Sequence, residues 1–267
     1  MINKYAILDC DFISKLFITQ NTVGQRFIDL ILSIKELSFI THQQTVIELS
    51  KHNKEIVDHI ISSNKVTFYS DKDLISLLMN YYNQSSYLLF INMLHNSCNV
   101  FSSSLFDNHY LSLVNYACAD QNNINIDQFA NFLEQCDLSI PNDNNLGEIK
   151  LYTMSQLFQL ITQNIYIFCS DDRKARYILS ANSDIECISC LSSFYLTKKY
   201  LRLSKQEAQC FFDSWQTFHQ QLGQYLFQIY DRSGNQLIKL PAQIIFNLLY
   251  DDKLELMKDG FFHIIHL

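Results

Sequence analysis

The chain has 267 residues, and 48% apolar against 18% charged residues with only 5 Gly and 2 Pro describes an ordered, helix-rich globule and excludes a disordered or fibrous chain. A formal net charge of -7 argues against non-specific coating of nucleic acid, which runs on Lys and Arg, and suits a nuclease whose excess acid is concentrated where metal ions neutralise it. No apolar run reaches the roughly 18–20 residues of a bilayer span. With no signal-peptide pattern at the start and 8 scattered cysteines, the expectation is a reduced, cytoplasmic protein with soluble partners.

Lys4 to Leu8 reads as a β-rich run ending at Asp9-Cys10-Asp11, and Phe12, Ile13, Leu16 and Phe17 follow at helical spacing. Asp11 is a candidate cap for that helix. A second helix is expected around Thr22 to Glu36, and a second strand over Leu37 to Thr41. Thr41-His42-Gln43-Gln44 has the form of a capping box opening a helix to about Ser62, with Glu48 just over a turn into it. Lys65 to Ser70 is the third strand, and the alternation predicts right-handed crossovers and a parallel sheet.

Residues 71–144 change to apolar, Asn-rich segments of helical period, a helical insertion with breaks expected at 96–104 and 121–125. After a loop at 142–145 an amphipathic helix runs over Leu146 to Thr162 with Glu148 in its first turn, and Asn145 with Glu148 makes a candidate capping box. Ile165 to Cys169 is the strongest strand signal, and Ser170-Asp171-Asp172-Arg173 leads from it into a helix over Lys174 to Ala181. Ile185 to Cys190 completes five strands. A helix over Leu191 to Lys199, another over Ser204 to Leu222, a hairpin of Tyr225–Tyr230 with Gln236–Leu240, a helix from Pro241 to Tyr250 and a strand at Phe261–Ile265 complete the chain. The division expected is a domain over 1–203 and a small α+β extension over 204–267.

Four acidic points stand at equivalent places: Asp9 after the first strand, Glu48 early in the helix after the second, Glu148 opening a late helix, and Asp171-Asp172 after the fourth strand. In a parallel sheet such positions converge on one edge. Carboxylates held together stay ionised only with cations between them, and all-oxygen ligation suits Mg²⁺ or Mn²⁺. Paired ions of this kind activate water and neutralise a phosphodiester transition state. Singly, each acid also fits an ordinary helix start; the set carries the inference.

Ile7-Leu8-Asp9-Cys10-Asp11-Phe12-Ile13, Ile40-Thr41 with Val46-Ile47-Glu48-Leu49, Leu146-Gly147-Glu148-Ile149 and Phe168 through Arg176 together resemble the PIN-domain nucleases, over about Asn3–Ser70 and Asn145–Leu196. The resemblance implies an α/β/α sandwich with a central parallel sheet of about five strands, and Mg²⁺- or Mn²⁺-dependent endoribonuclease activity as in bacterial toxins of this family. It assigns Asp9, Glu48, Glu148 and Asp172 as catalytic metal ligands with Asp171 beside them. Asp11 stands where the family often has Asn, giving it a supporting role; Ser170 is expected as a helix cap or near the metal. The long insertion and the tail depart from small family members.

Arg173, Lys174 and Arg176, with Lys198, Lys199, Arg202 and Lys205, form the densest basic stretch, and the first five are candidate phosphate contacts on an RNA substrate. Cys187-Ile188-Ser189-Cys190 is a lone pair of thiols that would face opposite sides of a strand. An antitoxin or other protein partner and a homodimer are further expectations for such a chain. Alternatives are a non-catalytic PIN-fold protein-interaction module and a structure-specific DNA nuclease.

Overall fold

The computed structural model describes residues 4–119, 124–141, 145–162 and 166–265. Part of the expected breaks at 121–125 and 142–145, and Ile165, lie outside these residues. Among those described, no helix is long and apolar enough to cross a membrane.

Strand β1 (Lys4–Leu8) leads into α1 (Cys10–Ile18), whose N-cap is Asp9 rather than Asp11. The helix expected over Thr22–Glu36 shrinks to α2 (Phe27–Ile31). Asn21 Oδ1 accepts from the amides of Val23 and Gln25, and Gly24 sits at φ +79°, so a side-chain-stabilised turn replaces the first helical turns. In β2 (Leu37–His42) Thr41 stays in the strand because its Oγ1 donates to Leu8 O at 2.6 Å. The cap of α3 (Gln43–His52) is therefore His42, whose Nδ1 accepts from Gln44 N. Asn53 then ends α3 and caps α4 (Lys54–Ser62), so one expected helix is two.

After β3 (Val66–Tyr69) come α5 (Asp71–Tyr82), α6 (Ser86–Phe101), α7 (Leu105–His109), α8 (Leu111–Ala119), α9 (Ile126–Leu138) and α10 (Leu146–Thr162). The helix α6 continues through the break expected from 96, which is confined to 102–104. Strand β4 (Tyr166–Cys169), α11 (Arg173–Asn182) and β5 (Glu186–Ile188) complete the sheet. Next, α12 (Ser193–Leu196) widens into π-helical turns over Thr197–Leu201, ended by Arg202 at φ +54°. The remainder is α13 (Lys205–Gln221), β6 (Leu226–Tyr230), β7 (Leu237–Pro241), α14 (Ala242–Tyr250), β8 (Leu254–Leu256) and β9 (Phe262–Ile264). Of these, β8 is too short and charged at Glu255 to stand out in the sequence.

The five strands β3-β2-β1-β4-β5 form one all-parallel sheet. Side chains alternate along each strand: Ala6, Leu8, Ile167, Cys169 and Ile188 enter one core, while Ile7, Phe168 and Cys187 enter the other. Each face is covered, giving a three-layer α/β/α fold. The alternation also puts Cys187 and Cys190 in different cores, so they do not form a thiol pair for one ion.

The additions are layers of this fold. Helices α5 to α10 supply the second core, with Phe90, Phe129 and Leu157 fully buried. Beyond residue 203, Phe212, Trp215, Ile245 and Phe246 join Phe12, Phe27 and Phe194 in the first core, where Phe194 meets Phe212 and Phe246 at 5.7 and 5.8 Å between ring centroids. The C-terminal strands form a second sheet, β7-β6-β9-β8. Cys187 N on edge strand β5 donates to Lys258 O at 2.7 Å, so the tail also covers an open sheet edge.

Candidate metal centre at the sheet edge

The connections from β1 run to β2 and β3 on one side, and the chain then returns to place β4 on the other, so the carboxyl ends of β1 and β4 flank the point where strand order reverses. Crevices open at such points. Asp9 leaves β1 there and Ser170-Asp171-Asp172 leave β4.

Asp9 is 4% exposed. Its Oδ1 accepts from Cys10 N at 2.7 Å and its Oδ2 from Ser170 Oγ at 2.7 Å. Burial, then the charges of Asp11 and Glu148, hold its carboxyl well above the usual carboxylate range despite these bonds. Ser170 Oγ also accepts from Asp172 N at 3.0 Å, so the hydroxyl links both strand ends and is not a helix cap. The cap of α11 is Asp172, whose Oδ1 accepts from the amides of Lys174 and Ala175.

Asp171 and Asp172 point to different tasks. Asp171 Oδ2 lies 2.6 Å from Lys15 Nζ, and its Oδ1 accepts from Cys190 N. Burial raises its pKa, but Lys15 outweighs that and leaves the carboxyl below its ordinary value. Asp11 Oδ1 accepts from Asp171 N at 3.0 Å, and its Oδ2 is 3.5 Å from the same lysine. Burial nevertheless leaves Asp11 raised.

Across the crevice, Glu48 is held by Gln44 Nε2 at 3.2 Å and by the Cys10 thiol, which burial and then the charges of Asp9 and Glu48 keep protonated. Glu48 lies over Gly147 at the start of α10, where an added Cβ would come within 2.7 Å of both carboxylate oxygens. Glu148 is pushed up to about 6 by burial, then by the charges of Glu48, Asp172 and Asp11, against the pull of its own amide. Asn145 Nδ2 donates to Phe101 O at 3.0 Å, which ties the start of α10 to the end of α6. Of the sequence-predicted acids, Glu148 is the one within electrostatic reach of Asp9, Glu48 and Asp172, while Asp171 turns to Lys15. Among the described residues no three His, Cys, Asp or Glu side chains converge closely enough to cage a metal ion. The donor chemistry fits a hard divalent cation; the spacing is that of an open rim.

Residues the sequence reading passed over are Lys15, Gln44, Cys10 and Gly147. Lys15 and Gln44 carried a signal, lying four positions from Asp11 and Glu48 on the same helix faces. Of the basic candidates, Arg176 is buried, its Nη1 donating to Ser170 O and its Nε to Asp259 O. Lys198 ties the π-helical turns to Leu249 O and Asp252, and Lys199 lies over the rings of Tyr195 and Tyr200. Arg173 and Lys174 remain exposed at the start of α11. Compared with family models, curated proteins and solved structures, the chain finds no match.

Proposed function

We propose that the protein is a PIN-like nuclease that hydrolyses phosphodiester bonds of RNA with Mg²⁺ or Mn²⁺ held by Asp9, Glu48, Glu148 and Asp172. The supporting observation is that Asp9 and Glu148, from elements distant in the chain, share one rim on which burial and the charges of neighbouring acids raise both carboxyls. A bound divalent cation would relieve that repulsion, and supplies an activated water and charge neutralisation at the scissile phosphate. The chain's own residues do the positioning. Ser170 Oγ fixes Asp9, Gln44 and Cys10 orient Glu48, and Lys15 pairs with Asp171 and turns it away from the rim acids.

The test is Asp9→Asn, because Asn also caps helices well and keeps the shape at α1. The expected result is at least a roughly 100-fold loss of Mn²⁺-dependent cleavage of labelled RNA with an unchanged circular-dichroism melt. Unchanged turnover would sink the assignment, and a panel with single- and double-stranded DNA decides the substrate. The open spacing of the rim favours a second reading, a non-catalytic protein-interaction module. That reading predicts a thermal melt indifferent to Mn²⁺, whereas specific binding raises the midpoint.

A further inference from the structure

A cleft of about 270 Å³ opens on the far side of Asp171, between the ends of β4 and β5 and the C-terminal sheet. Asp171, Arg173 and Ser189 line it from the sheet edge, and Phe227, Lys239 and Phe261 from the tail. Its size is at the low end of ligand pockets, roughly 300 Å³ and upward, which suits one ring system with a small polar group.

We propose that this cleft binds a single nucleoside monophosphate unit, as a subsite for the strand that crosses the acidic rim. The role in that strand rests on the nuclease reading; the binding chemistry stands on the cleft. The acid in its wall is already neutralised, since Asp171 lies 2.6 Å from Lys15 Nζ. Arg176 is committed to two backbone carbonyls. Among the described residues neither Arg173 nor Lys239 has a carboxylate partner, and both are exposed, which leaves two cations at the mouth for a phosphate. The Arg173 guanidinium stands 5.8 Å from the centroid of Phe261, so the cationic and stacking surfaces adjoin.

A third feature points to a ligand with hydrogen-bonding atoms. Trp215 lines the wall, is 1% exposed, and its indole N–H has no hydrogen-bond partner. Buried donors are rarely left so. Gln224, also in the lining, is tied to His219, whose ring lies against Trp215 at 4.3 Å between centroids and tilted by 46°. The lining thus offers aromatic rings for a base, polar groups for its edge and two cations for its phosphate, beginning one residue from Asp172.

Trp215 is the only tryptophan of the chain, so its fluorescence reports occupancy directly. The full-length protein in EDTA is titrated with uridine and adenosine monophosphates, and with inorganic phosphate. A saturable change with a nucleotide is expected, weakened roughly tenfold by either Lys239→Ala or Arg173→Ala, each the loss of one charged hydrogen bond. Both residues are exposed, so these variants keep the fold. No saturable change with either nucleotide, binding indifferent to both variants, or inorganic phosphate binding as tightly as the nucleotides overturns the proposal. The titration needs no metal or turnover and is repeated on Asp9→Asn. Nucleotide binding by the unmutated protein without Mn²⁺-dependent cleavage of RNA would reject the nuclease reading and leave the cleft assigned, and Asp9→Asn is expected to bind the nucleotide as the unmutated protein does.

Discussion

At Gly147 the absence of a side chain has a chemical consequence. The glycine lies inside the first turn of α10, where alanine would ordinarily add up to about 1 kcal/mol of helix stability. Yet an added Cβ would meet both carboxylate oxygens of Glu48 at 2.7 Å, and the flexible end of Glu48 is what would move. Gly147→Ala is therefore expected to leave the melting temperature unchanged or slightly raised while Mn²⁺-dependent cleavage falls at least roughly tenfold, because small displacements at a reacting centre are costly. Loss of stability in step with activity would contradict this. Residue chemistry was only half legible beforehand. Asp9 stood out as an acid ending an apolar strand; the choice between Asp171 and Asp172 did not, because Lys15, the group that separates them, is distant in sequence and adjacent only in the fold.

Among the elements, α5, α9 and α10 meet at a lysine that the periodicity of 71–144 and 146–162 gave no reason to expect inside. Lys150 is 1% exposed, with Nζ 2.8 Å from Asp71 and 2.7 Å from Asp137. Asp71 stands 3.3 Å from His42 at the end of β2, and Tyr110 donates to Asp137. Burial raises the Asp71 carboxyl, but Lys150 and His42 outweigh it and hold it far below its usual value. Removing one partner of a buried ionic group strands the others, at about 3–5 kcal/mol. Lys150→Met preserves length and apolar stem, so urea denaturation should register a loss of that size; a change under about 1 kcal/mol would mean that water reaches the two carboxylates. Helix periodicity thus announced the elements of the insertion, whereas the ion network that locks them depended on a residue type whose usual place is the surface. The overlong helix expected over Thr22–Glu36 failed for a similar local reason, the side-chain bonds of Asn21.

For the whole molecule, the alternation of strands and helices was enough to anticipate a five-stranded parallel sheet, since each strand carries apolar residues on successive positions. The boundary expected at residue 203 follows where the family resemblance stops, whereas packing runs across it: Phe211, Phe212 and Trp215 are buried among Phe27 and Phe194. A fragment ending at 203 would expose that aromatic cluster and the Cys187 edge of β5. It is expected to lack a cooperative thermal transition and to bind a hydrophobic dye, measured beside the full chain; a fragment melting cooperatively near the full-length midpoint would restore the two-unit division.

The order of the sheet also sets a timetable for synthesis. Strand β1 is central, pairing β2 from Leu37 and β4 only through Tyr166 to Cys169. At roughly 5–20 residues per second the ribosome needs on the order of 10–30 s to pass from Leu8 to Cys169. For that interval one side of an apolar strand has no neighbour, an open edge of the kind that recruits the wrong chain. Nascent chains are therefore most vulnerable to misassembly before β4 has emerged, and whatever shields them in the cell has to act on the first seventy or so residues.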